Sequence, residues 1–236
     1  MNEITVLVDR SETNLTEVAM NFWRQGLTGP PHSHDKKEQV FFVTDGSGVV
    51  NVGKESHQVR PGSLLYIPAG IIHQSVTTGS SLTYLLFNAF LEPTKEGCSS
   101  YREHIHQVKA IRQQQAAAAA NKAWFDPSES EAISAKKPSA TTDPGGFTSA
   151  VLLARGQTEA CEVERIGLSQ GEHQITHYSD REQTLFVLSG SGTMVADGQT
   201  VPIKPGAVIF IPTNFSLSLT AGIDGLAYLS LSTFAS

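Results

Sequence analysis

The chain repeats itself, and that constrains its fold more than any local signal. Glu38-Gln39, Phe42-Val43 and Gly46-Ser47-Gly48 recur as Glu182-Gln183, Phe186-Val187 and Gly190-Ser191-Gly192. Pro61-Gly62 and Pro68 recur as Pro205-Gly206 and Pro212, and Leu82, Tyr84, Leu85 and Phe90 as Leu226, Tyr228, Leu229 and Phe234. Every pair lies the same number of positions apart, with no gap. Alternating apolar patterns can look alike by accident. Glycines and prolines at matched places are a stronger sign, because they mark particular backbone turns. A repeated unit folds as a repeated structure, so the 236 residues divide into two similar units rather than forming one large domain.

Each copy reads as short strands. Residues 39–44, 64–67 and 82–90 are rich in β-branched and aromatic side chains and are bounded by Gly, Pro, Asn or Ser. Residues 184–188, 207–211 and 226–231 are their counterparts. Residues 1–10 add a strand in which Ile4, Val6 and Val8 alternate, and Gly46-Ser47-Gly48 reads as a hairpin turn. Many short strands between glycine turns indicate an all-β sandwich or barrel. Residues 92–146 are different. Arg112 to Gln115 and Ala116 to Ala120 are strong helix formers with a poor apolar stripe, and residues 126–146 are rich in Ser, Pro, Thr and Ala. The expected organisation is a first β-unit over 1–91, a partly helical, flexible linker over 92–146, and a second β-unit over 147–236.

Composition excludes several function classes. The net charge of −6 comes with no basic patch, which argues against a nucleic-acid partner. No apolar run approaches the roughly 20 residues needed to span a bilayer. The first residues already read as a strand, so no signal peptide is visible. Cys98 and Cys161 are too few and too isolated for a disulfide framework, which suits a reducing cytoplasm. Ser-His-Asp arrangements, phosphate-cradling loops and dinucleotide fingerprints do not occur.

The first copy contains Gly29-Pro30-Pro31-His32-Ser33-His34, then Glu38-Gln39 and Gly46, then Gly62, Pro68, Gly70 and His73. Residues i and i+2 of a strand face the same side, so His32 and His34 can both point into a barrel. This pair of motifs resembles the two signatures of the cupin superfamily: His-x-His followed by Glu or Gln and a glycine, and Gly-x5-Pro-x-Gly-x2-His. Counting both copies, the resemblance covers most of the chain. It implies two tandem cupin-type jelly-roll β-barrels. It also implies that His32, His34, His73 and one oxygen donor hold one divalent transition-metal ion (Mn, Fe, Ni, Zn or Cu) in the first barrel, with positions open for water or substrate.

The oxygen donor is Gln39 or Glu38. Counting back from Gly46, Gln39 sits in the ligand register and Glu38 one residue early. A shift of one residue turns a side chain to the other face, so only one of them points inward on a regular strand, and the register favours Gln39. A neutral Gln leaves the ion more positive than Glu does and departs from the three-His-plus-carboxylate pattern typical of the family. In the second copy Thr176, Tyr178, Gln183 and Leu217 stand at the places of His32, His34, Gln39 and His73. Thr and Leu cannot replace imidazole, so no metal is expected there. His177 matches Ser33 and reads as a solvated histidine. His104 and His106 read as a surface pair in the linker, because i and i+2 diverge by about 200° on a helix. Arg24, Phe41 and Tyr66 are candidates for the pocket wall of the first barrel, together with Trp23 and Phe87.

Two functions follow from the resemblance. One is a metal-dependent enzyme acting on a small polar molecule in the first barrel, its class open among dioxygenase, isomerase or epimerase, lyase and hydrolase. The other is a non-catalytic cupin that binds a small ligand. Two-barrel members of the superfamily include quercetin-type dioxygenases and ureidoglycine aminohydrolases, the latter with the metal in the second barrel. A non-ligand titratable group facing the metal, such as Tyr66 or Glu38, favours the enzyme. A homodimer stays open as the oligomeric state, since two barrels in one chain can reproduce the pairing that single cupins reach by dimerising.

Overall fold

A computed structural model describes residues 3–93, 106, 110 and 149–234. The linker expected over 92–146 lies almost wholly outside the described residues, as does His104; His106 is helical and exposed. The chain divides into two compact units, Met1–Lys136 and Lys137–Ser236.

The first unit is built from β1 (Glu3–Val8), β2 (Thr16–Arg24), β3 (Lys37–Val52), β4 (Glu55–Val59), β5 (Leu64–Ile67) and β6 (His73–Phe90). They form an antiparallel sheet in the order β1-β2-β6-β3-β4, with β5 paired to β3. The second unit comprises β7 (Ala150–Leu153), β8 (Cys161–Leu168), β9 (His173–His177), β10 (Arg181–Ala196), β11 (Gln199–Ile203), β12 (Val208–Ile211) and β13 (Ser216–Phe234). Their order is β11-β10-β13-β8-β7, with β12 on β10 and β9 on β13. The repeat is therefore structural: β3, β5 and β6 correspond to β10, β12 and β13. The fold is all-β, as expected.

The glycine motif corrects one expectation. Gly46-Ser47-Gly48 is not a hairpin turn but the bend of one long strand. β3 runs through it for 16 residues, and the 18-residue β6 pairs with it on both sides of the bend. The pairing skips register on either side of Gly46, which is how a sheet bends sharply enough to close on itself. Gly46 has φ +77°, and a Cβ there would lie 2.1 Å from the Ser81 carbonyl oxygen, so only glycine fits. Gly190 repeats this at φ +79°, 2.2 Å from the Gly225 carbonyl.

Alternation then decides what each barrel encloses. Val43, Val50, Val52, Leu65, Ile67, Leu82, Tyr84 and Leu86 point to one side and form the interior cluster of the first unit. Leu185, Val187, Ile203, Ile211, Leu219, Leu226 and Tyr228 do the same in the second. Each such side chain stabilises the fold by about 1.5–3 kcal/mol relative to exposure. The other face of β3 and β6 is buried as well, at Glu38, Val40, Phe87 and Ala89.

The constant spacing of the repeat ends before β2. Trp23 pairs with Leu82, and Leu168 pairs with the matching Leu226, so β2 and β8 correspond with a shift of one residue. Among the described residues, no helix is long and apolar enough to cross a membrane.

Candidate metal centre

His32 and His73 come together because their backbones pair. Each donates its N–H to the other's carbonyl oxygen, at 3.1 and 2.9 Å. The turn at Pro68 delivers His73: Gly70 at φ +78° donates its N–H to the His34 carbonyl at 2.9 Å, which fastens this turn to the His-x-His segment. The imidazole centroids lie 4.9 Å (His32–His34), 4.3 Å (His32–His73) and 5.5 Å (His34–His73) apart. One nitrogen from each ring falls within 4.8 Å of the others. That is close to the span one ion can bridge with nitrogens at about 2.1 Å.

Hydrogen bonds fix the tautomer of two of these rings. His32 Nδ1 lies 2.9 Å from the Pro30 carbonyl and His73 Nδ1 lies 3.2 Å from the Ile71 carbonyl. A carbonyl only accepts, so each Nδ1 carries the proton and each Nε2 presents a lone pair. His73 Nε2 is buried and has no hydrogen-bond partner. Burial, reinforced by the neighbouring His32, lowers the His73 pKa to about 3 and keeps the ring neutral, as a ligand must be.

Gln39 and Glu38 separate as a regular strand requires. Gln39 shares the inward face of β3 with Phe41 and Val43. Glu38 faces the other way, fully buried, and accepts a hydrogen bond from the Tyr66 hydroxyl. Gln39 is held by a chain of buried amides. Asn88 Nδ2 donates to Glu17 Oε1 at 2.6 Å, and Gln39 Nε2 donates to Asn88 Oδ1 at 2.8 Å. A carboxylate only accepts, so Glu17 orients Asn88, and Asn88 orients Gln39. Gln39 Oε1 is left buried without a hydrogen-bond partner. An acidic group thus sits two hydrogen bonds behind Gln39.

The pocket candidates divide in the same way. Phe41 is inward, its ring 6.0 Å from His73 and stacked on Tyr84 at 4.5 Å. Trp23 is also inward and donates Nε1–H to the Tyr84 hydroxyl at 3.1 Å. Three expectations need correction. Arg24 follows Trp23 and points away, exposed and paired with Glu3 at 3.0 Å. Tyr66 and Phe87 face the side of Glu38 and Val40, since Tyr66 and Phe87 are the cross-strand neighbours of Val40. Spacing along the strand could have excluded all three. Asn88 and Glu17 carried no such signal, because their role depends on which strands become neighbours.

The second unit keeps the frame and carries other side chains at the three histidine positions. Thr176 and Leu217 pair across β9 and β13, at the place where His32 and His73 form an isolated bridge, and both are buried. Asn214, at φ +62° in place of Gly70, donates its N–H to the Tyr178 carbonyl at 2.7 Å, so the turn is rebuilt without the histidines. His173 and His177 lie exposed on β9.

The family model described as a cupin domain matches residues 19–87 and 165–216, together just over half of the chain. The chain belongs to the cupin family, with one such domain in each unit. An uncharacterized protein of Streptomyces coelicolor is 43% identical over 44 residues, covering 19% of this chain and 39% of that protein. Quercetin 2,3-dioxygenase of Bacillus subtilis is 26% identical over 236 residues, covering 87% of this chain and 69% of the enzyme. Among solved structures, salicylate 1,2-dioxygenase of Pseudoaminobacter salicylatoxidans matches with a TM-score of 0.64 at 14% identity, covering 93% of this chain and 70% of that one. The last likeness speaks to fold alone.

Proposed function

We propose that the first barrel holds one divalent transition-metal ion on His32, His34, His73 and Gln39 Oε1, and that it is an enzyme acting there on a small polar molecule, with dioxygenation the leading reaction class. One observation carries this reading. His73 Nε2 and Gln39 Oε1 are both buried and unpartnered, while each side chain is fixed through its other polar atom. An unsatisfied buried acceptor costs about 1–3 kcal/mol, and a bound ion offsets that cost twice. When bound, the ion supplies Lewis acidity, or redox chemistry toward dioxygen.

The remaining work falls to the chain's own residues. The imidazoles and the Gln39 amide are pre-oriented by hydrogen bonds to Pro30, Ile71 and Asn88. Trp23, Phe41, Tyr84 and Leu86 wall the interior and exclude water. Glu38 and Tyr66 face away, so neither is placed to shuttle protons at the site. Chemistry that needs orientation and a dry wall is better served than chemistry that needs a side-chain acid or base. This agrees with the similarity to the Bacillus subtilis protein named quercetin 2,3-dioxygenase.

Metal analysis tests the reading on protein purified without added metal and on protein reloaded with Mn, Fe, Ni, Zn or Cu in turn. One equivalent per chain is expected, lost in His32→Ala and His73→Ala and kept in His177→Ala. Oxygen uptake with quercetin or gentisate should depend on that equivalent. No metal in any preparation sinks the proposal. Metal and ligand binding without turnover of either compound supports the non-catalytic reading instead, which the neutral Gln39 and the outward-facing Glu38 and Tyr66 favour.

A further inference from the structure

The two barrels differ in the chemistry of their inner walls. Gln39, Asn88 and Glu17 form a row across β3, β6 and β2, and Gln183, Ser232 and Glu162 form the corresponding row across β10, β13 and β8. The next row is apolar in the first barrel, with Phe41, Leu86 and Ala19. In the second it is Leu185, Ser230 and Glu164. A leucine and an alanine of the wall are thus replaced by a serine and a glutamate.

Glu164 is half-buried on this inward face; burial together with the neighbouring Glu162 raises its pKa, and the charge of Arg181 only partly offsets this. It has no hydrogen-bond or ion-pair partner among the described residues. Arg181, the nearby cation, is engaged elsewhere: 3.7 Å from Glu162 and 3.0 Å from Asp180, with its guanidinium 4.4 Å from the centroids of Tyr178 and Phe234. A second observation is independent of the carboxyls. Gln183 is only 4% exposed, its Nε2 donates to Ser230 Oγ at 2.7 Å, and its Oε1 is buried with no partner. The Tyr228 hydroxyl, on the same face, already donates to Gln174 at 2.6 Å. Both barrels thus leave a glutamine oxygen unsatisfied, but the second sets a carboxylate near it where the first sets imidazoles, and what the second lacks is a donor.

We propose that the interior of the second barrel binds a small organic amine, whose ammonium group donates to the Glu164 carboxylate and to Gln183 Oε1 while its carbon chain lies against Leu185. The ammonium supplies several donors and a positive charge beside two carboxyls, and charge-assisted hydrogen bonds of this kind are the stronger ones. The site is separate from the metal centre and does not depend on it.

The test uses the full-length protein, with n-butylamine as probe and n-butanol as its uncharged match, followed by calorimetry and saturation-transfer NMR. Butylamine should bind saturably at one site per chain, and butanol about tenfold or more weakly. Glu164→Gln, nearly isosteric, should weaken butylamine by about tenfold or more and leave butanol unchanged. Ser230→Leu, which restores the apolar wall of the first barrel, should also weaken butylamine if Glu164→Gln does not fold. His73→Ala should leave amine binding intact. Equal affinity for butanol, no saturable amine binding, wild-type binding in a folded Glu164→Gln, or loss of binding in a folded His73→Ala would each overturn the proposal.

Discussion

The two barrels show how little of a repeated fold has to change for its chemistry to change. The backbone frame is nearly invariant: the glycine bends at Gly46 and Gly190, the positive-φ turns at Gly70 and Asn214, and the cross-strand pairs His32–His73 and Thr176–Leu217 all correspond. The frame rests on steric and hydrogen-bond requirements that side chains inside the barrel do not touch. The interior positions are free to diverge, because one substitution there alters a ligand set without moving a strand. Thr176, Tyr178 and Leu217 remove three imidazoles, and Glu164 and Ser230 bring in oxygen acceptors.

Matched substitutions at one position test this contrast most strongly. His73→Ala should strip the first barrel of its ion, weakening binding by more than the roughly 10–100-fold that an outer-shell partner contributes. Leu217→Ala, its counterpart, should leave metal content unchanged and cost about 2–5 kcal/mol of stability in urea unfolding, because Leu217 is core. If His73→Ala keeps its metal, the two positions do not differ in kind.

A graft sharpens the comparison. Thr176→His, Tyr178→His and Leu217→His together should give a second metal equivalent per chain, since the frame and Gln183 are already in place. A folded triple variant with a single equivalent would show that the acidic wall, and not only the missing histidines, separates the barrels. Smaller in effect is Asn88→Ala, which releases the Gln39 amide; metal affinity should fall by about 10–100-fold. Ser232→Ala, the matching change, should leave metal affinity as it is.

The last two effects concern stability alone. Tyr66→Phe removes one hydrogen bond to the buried Glu38 and should cost about 0.5–1.5 kcal/mol in urea unfolding with metal content unchanged. A loss of metal in that variant would return Glu38 to the ligand question. Arg24→Ala breaks an exposed ion pair and should change stability by no more than about 1 kcal/mol, with no effect on ligand or metal titrations.

Much of the site was legible beforehand, for reasons that are local. The strand expected through His32 and His34 is only an isolated bridge at His32, opposite His73; alternation holds on β3, where it turns Gln39 rather than Glu38 inward. The same alternation excludes Arg24 beside Trp23 and Tyr66 between Leu65 and Ile67, and applying it strictly would have kept both out of the pocket. The reading of Gly46-Ser47-Gly48 as a hairpin turn failed for a different reason. A glycine pair marks a sharp change of backbone direction, but whether the strand reverses or bends depends on what pairs alongside it, here the 18-residue β6.

The amino-acid sequence by itself determined the duplication, the all-β class, the three histidines of the first unit and their replacements in the second. These follow from repeat spacing, turn residues and the two-residue period of a strand, all of which act over short stretches of chain. Only the tertiary structure decided that Glu17 and Asn88 hold Gln39, and that Ser230 lies between Gln183, which it binds, and Glu164, its cross-strand neighbour. Those residues lie many positions apart, and their meeting is set by strand order and by a one-residue shift between β2 and β8. Periodicity assigns a side chain to a face; only the pairing of strands assigns it a neighbour.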